Sequence, residues 1–468
     1  MASSRKSNSV DLICRAAARI APLLPADSSI LIGLSGGVDS VVLLHLLHRL
    51  APNYFWQLSA LHVHHGISPN ADDWVTFCAS LCASLNIPLH IEHVDIAPLR
   101  ANGIEAAARK LRHAAFAAQP ADFIALAHHS DDQVETLFLQ LLRGAGVRGA
   151  SAMPVLSPSA EFRTDMSKLP LLSAHVGTHQ VVRPLLHSTR QEILDYAAAH
   201  ELQWIEDESN ADDSYPRNFL RHRLLPLLDE KFPAYRETLT RSTQHFAEAG
   251  ELLDDLARLD AAESISGDTL SVSLLQGLTL ARAKNLLRYF LYQLGAPMPQ
   301  VVQLEDMLHQ LCAAREDATV CIGFGGSGWQ VRRYRGRVYA QHALGEFDRG
   351  LVLAWRGEEK LDWPALRARV AFQQGQGISL AKLQLAPVTL RQRRGGESLR
   401  PHANSATRTL KNLLQEHCVP PWQRDRWPLL YCGDELVCVP GVAIAAAYQA
   451  AAGEAAVLPG LSMHPGGE

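Results

Sequence analysis

Long apolar runs are missing from this chain. No stretch reaches the roughly 18 consecutive apolar residues of a membrane-spanning helix, and the most apolar segment, VVLLHLLHRL, is broken by His45, His48 and Arg49. The opening MASSRKSNSVDLICRAAARIAPLL lacks the continuous apolar stretch of a secretory signal and reads as a polar leader before an amphipathic helix. These absences argue against a membrane partner and set the expectation of a cytoplasmic protein. Cysteine is sparse, eight in 468 residues, and no CxxC pair occurs; the nearest spacing is Cys78 and Cys82. That excludes a disulfide framework and a zinc ribbon and leaves reduced thiols as the default. The net charge is only −4, so any affinity for nucleic acid must come from local clusters. No Gly-Lys dipeptide exists, which excludes a Walker A loop. What remains is an ordinary globular composition, 47% hydrophobic and 20% charged. It is too apolar for disorder, and the length suggests about three domains.

The first 210 or so residues alternate strand and helix patterns. Strands are expected at SSILIGL (28–34), QLSALHV (57–63), PLHIEHVD (88–95) and FIALAHH (123–129). Each is followed by a helical pattern, at 40–50, 72–85, 103–118 and 131–143. Four such repeats with continuous apolar strands predict an α/β fold, a doubly wound parallel sheet covered by helices on both faces. The stretch 154–180 has weak periodicity and reads as a long loop or excursion. From Ala234 to about Cys312 the pattern is helical, with a break at SISGDTLSV, and 319–341 reads as short strands. These patterns suggest three regions: a catalytic domain over 1–225, a mostly helical domain over 226–350, and a small α+β domain over 385–460.

The informative segment is Ser35-Gly36-Gly37-Val38-Asp39-Ser40, between the first strand and its helix. Adjacent glycines let the backbone approach a ligand closely. Two hydroxyls, free N–H groups and the helix dipole favour an anion there. Asp39, in the first helical turn, is either a cap or a ligand for Mg²⁺ beside phosphates. A second cluster follows the fourth strand: Asp132 and Glu135 are i,i+3, and Asp131 and Glu135 are i,i+4, so their carboxylates can converge on a cation. The pairs His64-His65 and His128-His129 match no zinc spacing. They are expected to line the nucleotide pocket or to cap strands. Two GxGxxG matches, at Gly144 and Gly323, lack the strand–turn–helix context of a dinucleotide site.

The SGGVDS loop resembles the pyrophosphate-binding loop of the ATP-pyrophosphatase (PP-loop) superfamily, whose members cleave ATP to AMP and pyrophosphate while adenylating a substrate oxygen. Further segments occur in order: His62-Val-His-His-Gly66, Glu105-Ala-Ala-Ala-Arg109, Ala127-His-His-Ser-Asp-Asp-Gln-Val-Glu-Thr136, Leu142-Arg-Gly-Ala-Gly146, Arg183-Pro-Leu-Leu186 and Tyr215-Pro-Arg-Asn218. Together with RRGGESLRP (393–401) and LKNLLQEHCVPPWQRDRWPLL (410–430), they resemble the tRNA(Ile)-lysidine synthetase family from about Ile30 to about Val442. The resemblance implies an ATP-dependent carbon–nitrogen ligase. Such an enzyme joins free L-lysine to C2 of the wobble cytidine of CAU-anticodon tRNA(Ile), through an adenylated cytidine, with release of AMP and pyrophosphate. It implies ATP at Ser35, Gly36, Gly37, Val38, Asp39, Ser40 and His64, and Mg²⁺ at Asp39. It places lysine on Asp132 and Glu135, and Arg109 by ATP or the reacting centre. Arg183 and Arg217 become candidates for the α-phosphate or the flipped cytidine.

Basic clusters with aromatics suit RNA phosphates and bases. Arg332, Arg333, Arg335 and Arg337 lie among Trp329, Tyr334 and Tyr339. Residues 391–426 hold eight cations, Arg393, Arg394 and Lys411 among them, against three anions, a local +5 in a chain of −4. Arg217, Arg221 and Arg223 form a third cluster. The assigned tRNA contacts are Arg183, Arg217, Arg332, Arg333, Arg393, Arg394 and Lys411. The alternatives are a tRNA thiolase on the same ATP scaffold, or a non-catalytic ATP-gated tRNA-binding protein. A thiolase usually shows a CxxC pair or a catalytic cysteine in the ATP domain; here Cys14, Cys78 and Cys82 fall on expected helices away from strand ends. Pairing into a homodimer is left open by the sequence.

Overall fold

The computed structural model describes residues 12–66, 68–98, 103–158, 179–315, 320–325, 328–343, 345, 348, 350–366 and 368–463. The chain divides into two compact units, Met1–Leu252 and Leu253–Glu468.

The first unit begins with a helix over residues 12–20 (α1) and then alternates as expected. The order is β1 Ser29–Gly33, α2 Val38–Tyr54, β2 Gln57–His64, α3 Ala71–Ser84, β3 Leu89–His93, α4 Ile104–Ala117, β4 Phe123–Ala125 and α5 Ser130–Leu142. A one-turn helix α6 (Val147–Ala150), β5 (Leu156–Pro158), β6 (Gln180–Val182) and α7 (Arg190–Ala199) follow. The strands form one sheet in the order β3-β2-β1-β4-β6-β5, parallel except for β5 against β6. The stretch expected to be a loop over 154–180 therefore contributes a strand at each end; its residues 159–178 lie outside the described set.

Both faces of the sheet are covered. Ile30 and Ile32 of β1 pack with Val42 and Leu46 of α2, Cys78 of α3 and Ile193 of α7. Leu31, between them, packs the other way, with Ala115 and Phe116 of α4. Alternation along a strand sends neighbours to opposite faces, so a strand covered on both sides is apolar throughout. The chain runs from β1 outward to β2 and β3, then returns to place β4 on the other side of β1. Where the order reverses, the loops at the carboxyl ends of β1 and β4 part, the position at which open α/β sheets bind ligands.

After α7 the chain forms α8 (Pro216–Phe219), a π-helical turn at Leu220–Leu224, α9 (Leu225–Lys231) and α10 (Tyr235–Ser264). In the second unit the hairpin strands Ile265–Ser266 and Thr269–Ser271 join Val320–Phe324, Trp329–Tyr334 and Arg337–His342 in a five-stranded sheet. Helices Leu280–Gln293 and Val301–Ala313 pack on it through Leu286, Phe290, Leu304 and Leu308. A smaller α+β region follows, with strands Val388–Arg391, Leu429–Cys432 and Glu435–Val439 and a helix at Leu410–Glu416. Among the described residues no helix is long and apolar enough to cross a membrane.

Candidate active site

The loop after β1 is held in shape by its own hydroxyls. Ser40 Oγ donates to Gly37 O (2.9 Å) and accepts from Gly36 N (3.2 Å), while Ser35 Oγ lies 3.2 Å from Ser40 Oγ. Gly36 has φ +91°, and a Cβ there would stand 2.7 Å from Ile205 Cδ1. The positive φ favours glycine at this point, and a side chain there would also push Ile205 aside. From β2, His62 Nδ1 lies 2.9 Å from Leu34 O. A carbonyl only accepts, so Nδ1 carries the proton. Burial pushes the His62 pKa down, which keeps the ring neutral. Cys78 Sγ is 3.5 Å from the same nitrogen, so this cysteine lies close to the loop rather than away from it, as its helix position had suggested. Burial pushes its thiol up to about 12, which makes it a packing group and a poor nucleophile.

Asp39 is the half-buried acid of the loop. Its Oδ1 is buried with no hydrogen-bond partner, and its Oδ2 lies 3.8 Å from Arg190 Nη1. His129 Nε2 is 3.7 Å from Oδ1. Burial raises the Asp39 pKa, with His129 and Arg190 opposing. An orphaned carboxylate oxygen beside an anion-binding loop fits a hard divalent cation.

The second acid cluster starts at His129, which precedes α5. His129 N donates to Asp132 Oδ2 (3.0 Å), so Asp132 holds the start of its own helix. Asp131 turns away from the pair: it accepts from Arg190 N (3.1 Å) and from Arg236 Nε (2.5 Å). Glu135 is completely buried. Arg221 grips it with both edges of a fork, Nε to Oε1 at 2.8 Å and Nη2 to Oε2 at 3.1 Å, and reaches Asp132 Oδ1 at 3.4 Å. Arg217 Nε stands 3.2 Å from Glu135 Oε2, and its Nη2 donates to Thr136 Oγ1. Burial raises the Glu135 pKa against the pull of Arg221. Burial works against the Asp132 carboxylate, but the Arg217 guanidinium and the hydrogen bond from His129 N hold its pKa below the usual range.

The structure thus brings together Ser35 to Ser40, Asp39, Asp132, Glu135 and Arg217. His64, at the end of β2, is 3.2 Å from Asp72 Oδ1 and packs against His93. Arg109 is exposed on α4. Three arginine assignments need correction. Arg183 is only 3% exposed and donates to His128 Nδ1 (3.2 Å), Pro154 O (3.0 Å) and Ser157 Oγ (3.1 Å). It braces β6 against the preceding segments and has no surface to offer RNA. His128 is pushed down to about 3, by burial first and by Arg183 and Arg217, and accepts as a neutral ring. Arg333 is 5% exposed and donates to Leu311 O and Ala314 O at the end of a helix. The period-two pattern of WQVRRY already placed it on the same face as Trp329 and Val331. Arg217 belongs to the carboxylate cluster rather than to an open basic face.

Two residues escaped the sequence reading. Arg190 was not singled out, and Arg221 was counted only among basic residues. A signal existed for the first: Thr189 and Glu192 form a capping box that starts α7 just past β6, which puts Arg190 at the same sheet edge as the loop. Among the described residues no group of three or more His, Cys, Asp or Glu is arranged to hold a metal.

In the second unit, Arg332 lies 5.0 Å over the Trp422 ring, and Tyr334 and Tyr339 meet that ring edge-on. Arg424 Nη2 donates to Tyr334 OH (2.8 Å). These aromatics already pack on one another and tie the hairpin to the C-terminal region. Arg393 pairs with Asp425 at 3.2 Å, whereas Arg394 and Lys411 are exposed.

Residues 12–228 match the PP-loop domain, 270–339 the TilS substrate binding domain, and 388–459 the TilS substrate C-terminal domain. The chain is 43% identical to a tRNA(Ile)-lysidine synthase of Nitrosomonas europaea over 93% of its own length and 91% of the relative's. It belongs to the tRNA(Ile)-lysidine synthase family. Enzymes of the same name from Azoarcus sp. (40% identity, 94% and 93% covered) and Coxiella burnetii (36%, 91% and 92%) are similarly close. Family membership makes the SGGVDS segment a PP-loop and the chain an ATP-using ligase.

Proposed function

We propose that this chain converts the wobble cytidine of CAU-anticodon tRNA(Ile) to lysidine, consuming ATP and free L-lysine. The observation that supports this best is the meeting, at one sheet edge, of the PP-loop with the Asp132–Glu135 pair. The cytosine O2 attacks the α-phosphorus of ATP, the bond to the bridging oxygen breaks, and pyrophosphate leaves. The lysine ε-amine then attacks C2, and the C2–O bond to AMP breaks. The N–H groups at the start of α2 and the helix dipole stabilise the departing pyrophosphate. Asp39 would hold Mg²⁺, which supplies positive charge at the phosphate oxygens. Asp132 and Glu135 orient the amines. Glu135, with the raised pKa, is the better proton acceptor of the two. Arg190 is exposed enough, at 44%, to exchange Asp39 for a phosphate. The exposed Arg394 and Lys411, with Arg332, are the proposed tRNA contacts in the second unit; catalytic, helical and C-terminal domains over 1–225, 226–350 and 385–460 divide the work.

The test is radiolabelled lysine with ATP, magnesium and the CAU-anticodon tRNA(Ile), counting acid-precipitable label. ATP-dependent label is expected. ATP cleavage without label would point to another adenylating reaction, and neither would point to a binding protein. The thiolase alternative is disfavoured by the unreactive Cys78 and by Cys82, raised to about 11 by burial. A separate prediction concerns Arg190→Ala. Its backbone N–H still donates to Asp131, so the helix start survives. The KM for ATP should rise roughly tenfold, the value of one charge-assisted contact, as read from pyrophosphate release at varied ATP. An unchanged KM would remove Arg190 from the nucleotide site.

A further inference from the structure

The two acids assigned to the lysine ammonium are not alone. Arg217 and Arg221 stand on them, so two negative charges meet two positive ones. A site for a simple amine would be harmed by this, because the incoming cation would compete with two fixed guanidinium groups. A site for a free amino acid needs both signs, since lysine carries two ammonium groups and one carboxylate.

We propose that Arg221 binds the α-carboxylate of the lysine substrate and so makes the enzyme specific for a free amino acid over a simple diamine. The inference rests on the lysine reading given above. Arg221 has five N–H donors. Its Nε and Nη2 are used on Glu135 and Asp132, while neither Nη1 donor makes a hydrogen bond among the described residues. The side chain is 26% exposed. Its plane is fixed by the forked contact to a fully buried acid, which makes the unused donors a preorganised carboxylate receptor. Arg221 is also near enough to Asp39 for the two charges to interact. The residue lies in the π-helical turn Leu220–Leu224, an irregularity common at functional positions.

The experiment compares radiolabelled L-lysine with radiolabelled cadaverine, the same chain without its carboxylate, as acceptors in the tRNA-labelling reaction. The wild type should prefer lysine in kcat/KM by roughly 10- to 100-fold, the worth of a charge-assisted bond. In Arg221→Ala the lysine KM should rise by a similar factor and the preference should fall towards unity. Arg221→Lys, which keeps the charge but not the fork, should retain part of it. The ratio of the two substrates does not depend on how much variant folds. A preference that survives Arg221→Ala would overturn the inference, as would a wild type that uses both amines equally. A lower lysine KM in Arg221→Ala would also overturn it, by showing that Arg221 competes for the site instead of reading the substrate. If the wild type labels tRNA with neither amine, the lysine reading itself fails and takes this inference with it.

Discussion

Asp39→Asn is expected to lower pyrophosphate release and lysine labelling by about 10²- to 10³-fold, the range for losing one preorganised electrostatic group at a reacting centre. The same change should leave the protein as stable as before or more so. Asp39 Oδ1 has no hydrogen-bond partner, and burial raises the carboxyl pKa. A folded-state pKa above the unfolded one means that the folded protein binds more protons, so this group's contribution to stability falls as pH rises through the carboxylate range. Asparagine removes that cost. Thermal unfolding in EDTA across pH 4 to 8 should therefore show the variant gaining on the wild type as pH increases. Loss of activity with an unchanged or raised Tm is the pattern of a functional residue held at a cost in stability. A variant that loses both would mark Asp39 as a structural cap.

Glu135→Ala should fail in two ways at once. Glu135 is fully buried and holds two guanidinium groups that are themselves only about 26–30% exposed. Removing the acid takes the carboxylate from Arg217 and leaves Arg221 only its 3.4 Å contact with Asp132, and breaking a buried pair costs about 3–5 kcal/mol. The partial exposure of the arginines reduces this to about 2–4 kcal/mol. For a unit of this size that is a Tm loss of roughly 4–15 °C. Lysine labelling should be lost as well. Glu135→Gln separates the effects, because the amide oxygen still accepts from Arg221. Its stability cost should be about 1–2 kcal/mol, with the lysine KM still raised at least tenfold. Glu135→Gln with a normal lysine KM would reduce Glu135 to an anchor for Arg217 and Arg221.

These two acids also show how far the sequence could be read. The PP-loop was legible because its requirements are local: two glycines, two hydroxyls and a helix start within six residues. The Asp132–Glu135 pair was legible because helical spacing alone brings i and i+3 to one face. The sheet was legible from apolar runs that only a strand covered on both sides requires. The arginines were not legible in the same way. Arg183, Arg217, Arg221 and Arg333 look alike in a sequence, each a cation in a mixed stretch. One braces a strand, two hold a buried acid and one caps a helix end. Only for Arg333 did a local pattern, alternation along a strand, carry the answer. Likewise Cys78 was correctly placed on a helix, but its neighbourhood depended on which loop that helix covered.

By itself, the sequence determined the α/β architecture, the anion-binding loop and the acid pair, since periodicity and turn chemistry act over a few residues. Which cation meets which carboxylate was decided only by the tertiary structure. Arg221 is 89 residues from Asp132 and 86 from Glu135, and Arg190 is 59 from the Asp131 that pins its backbone. Contacts over such separations depend on the strand order and on where each helix packs, which no local pattern encodes. The charge balance of the site is a property of the fold.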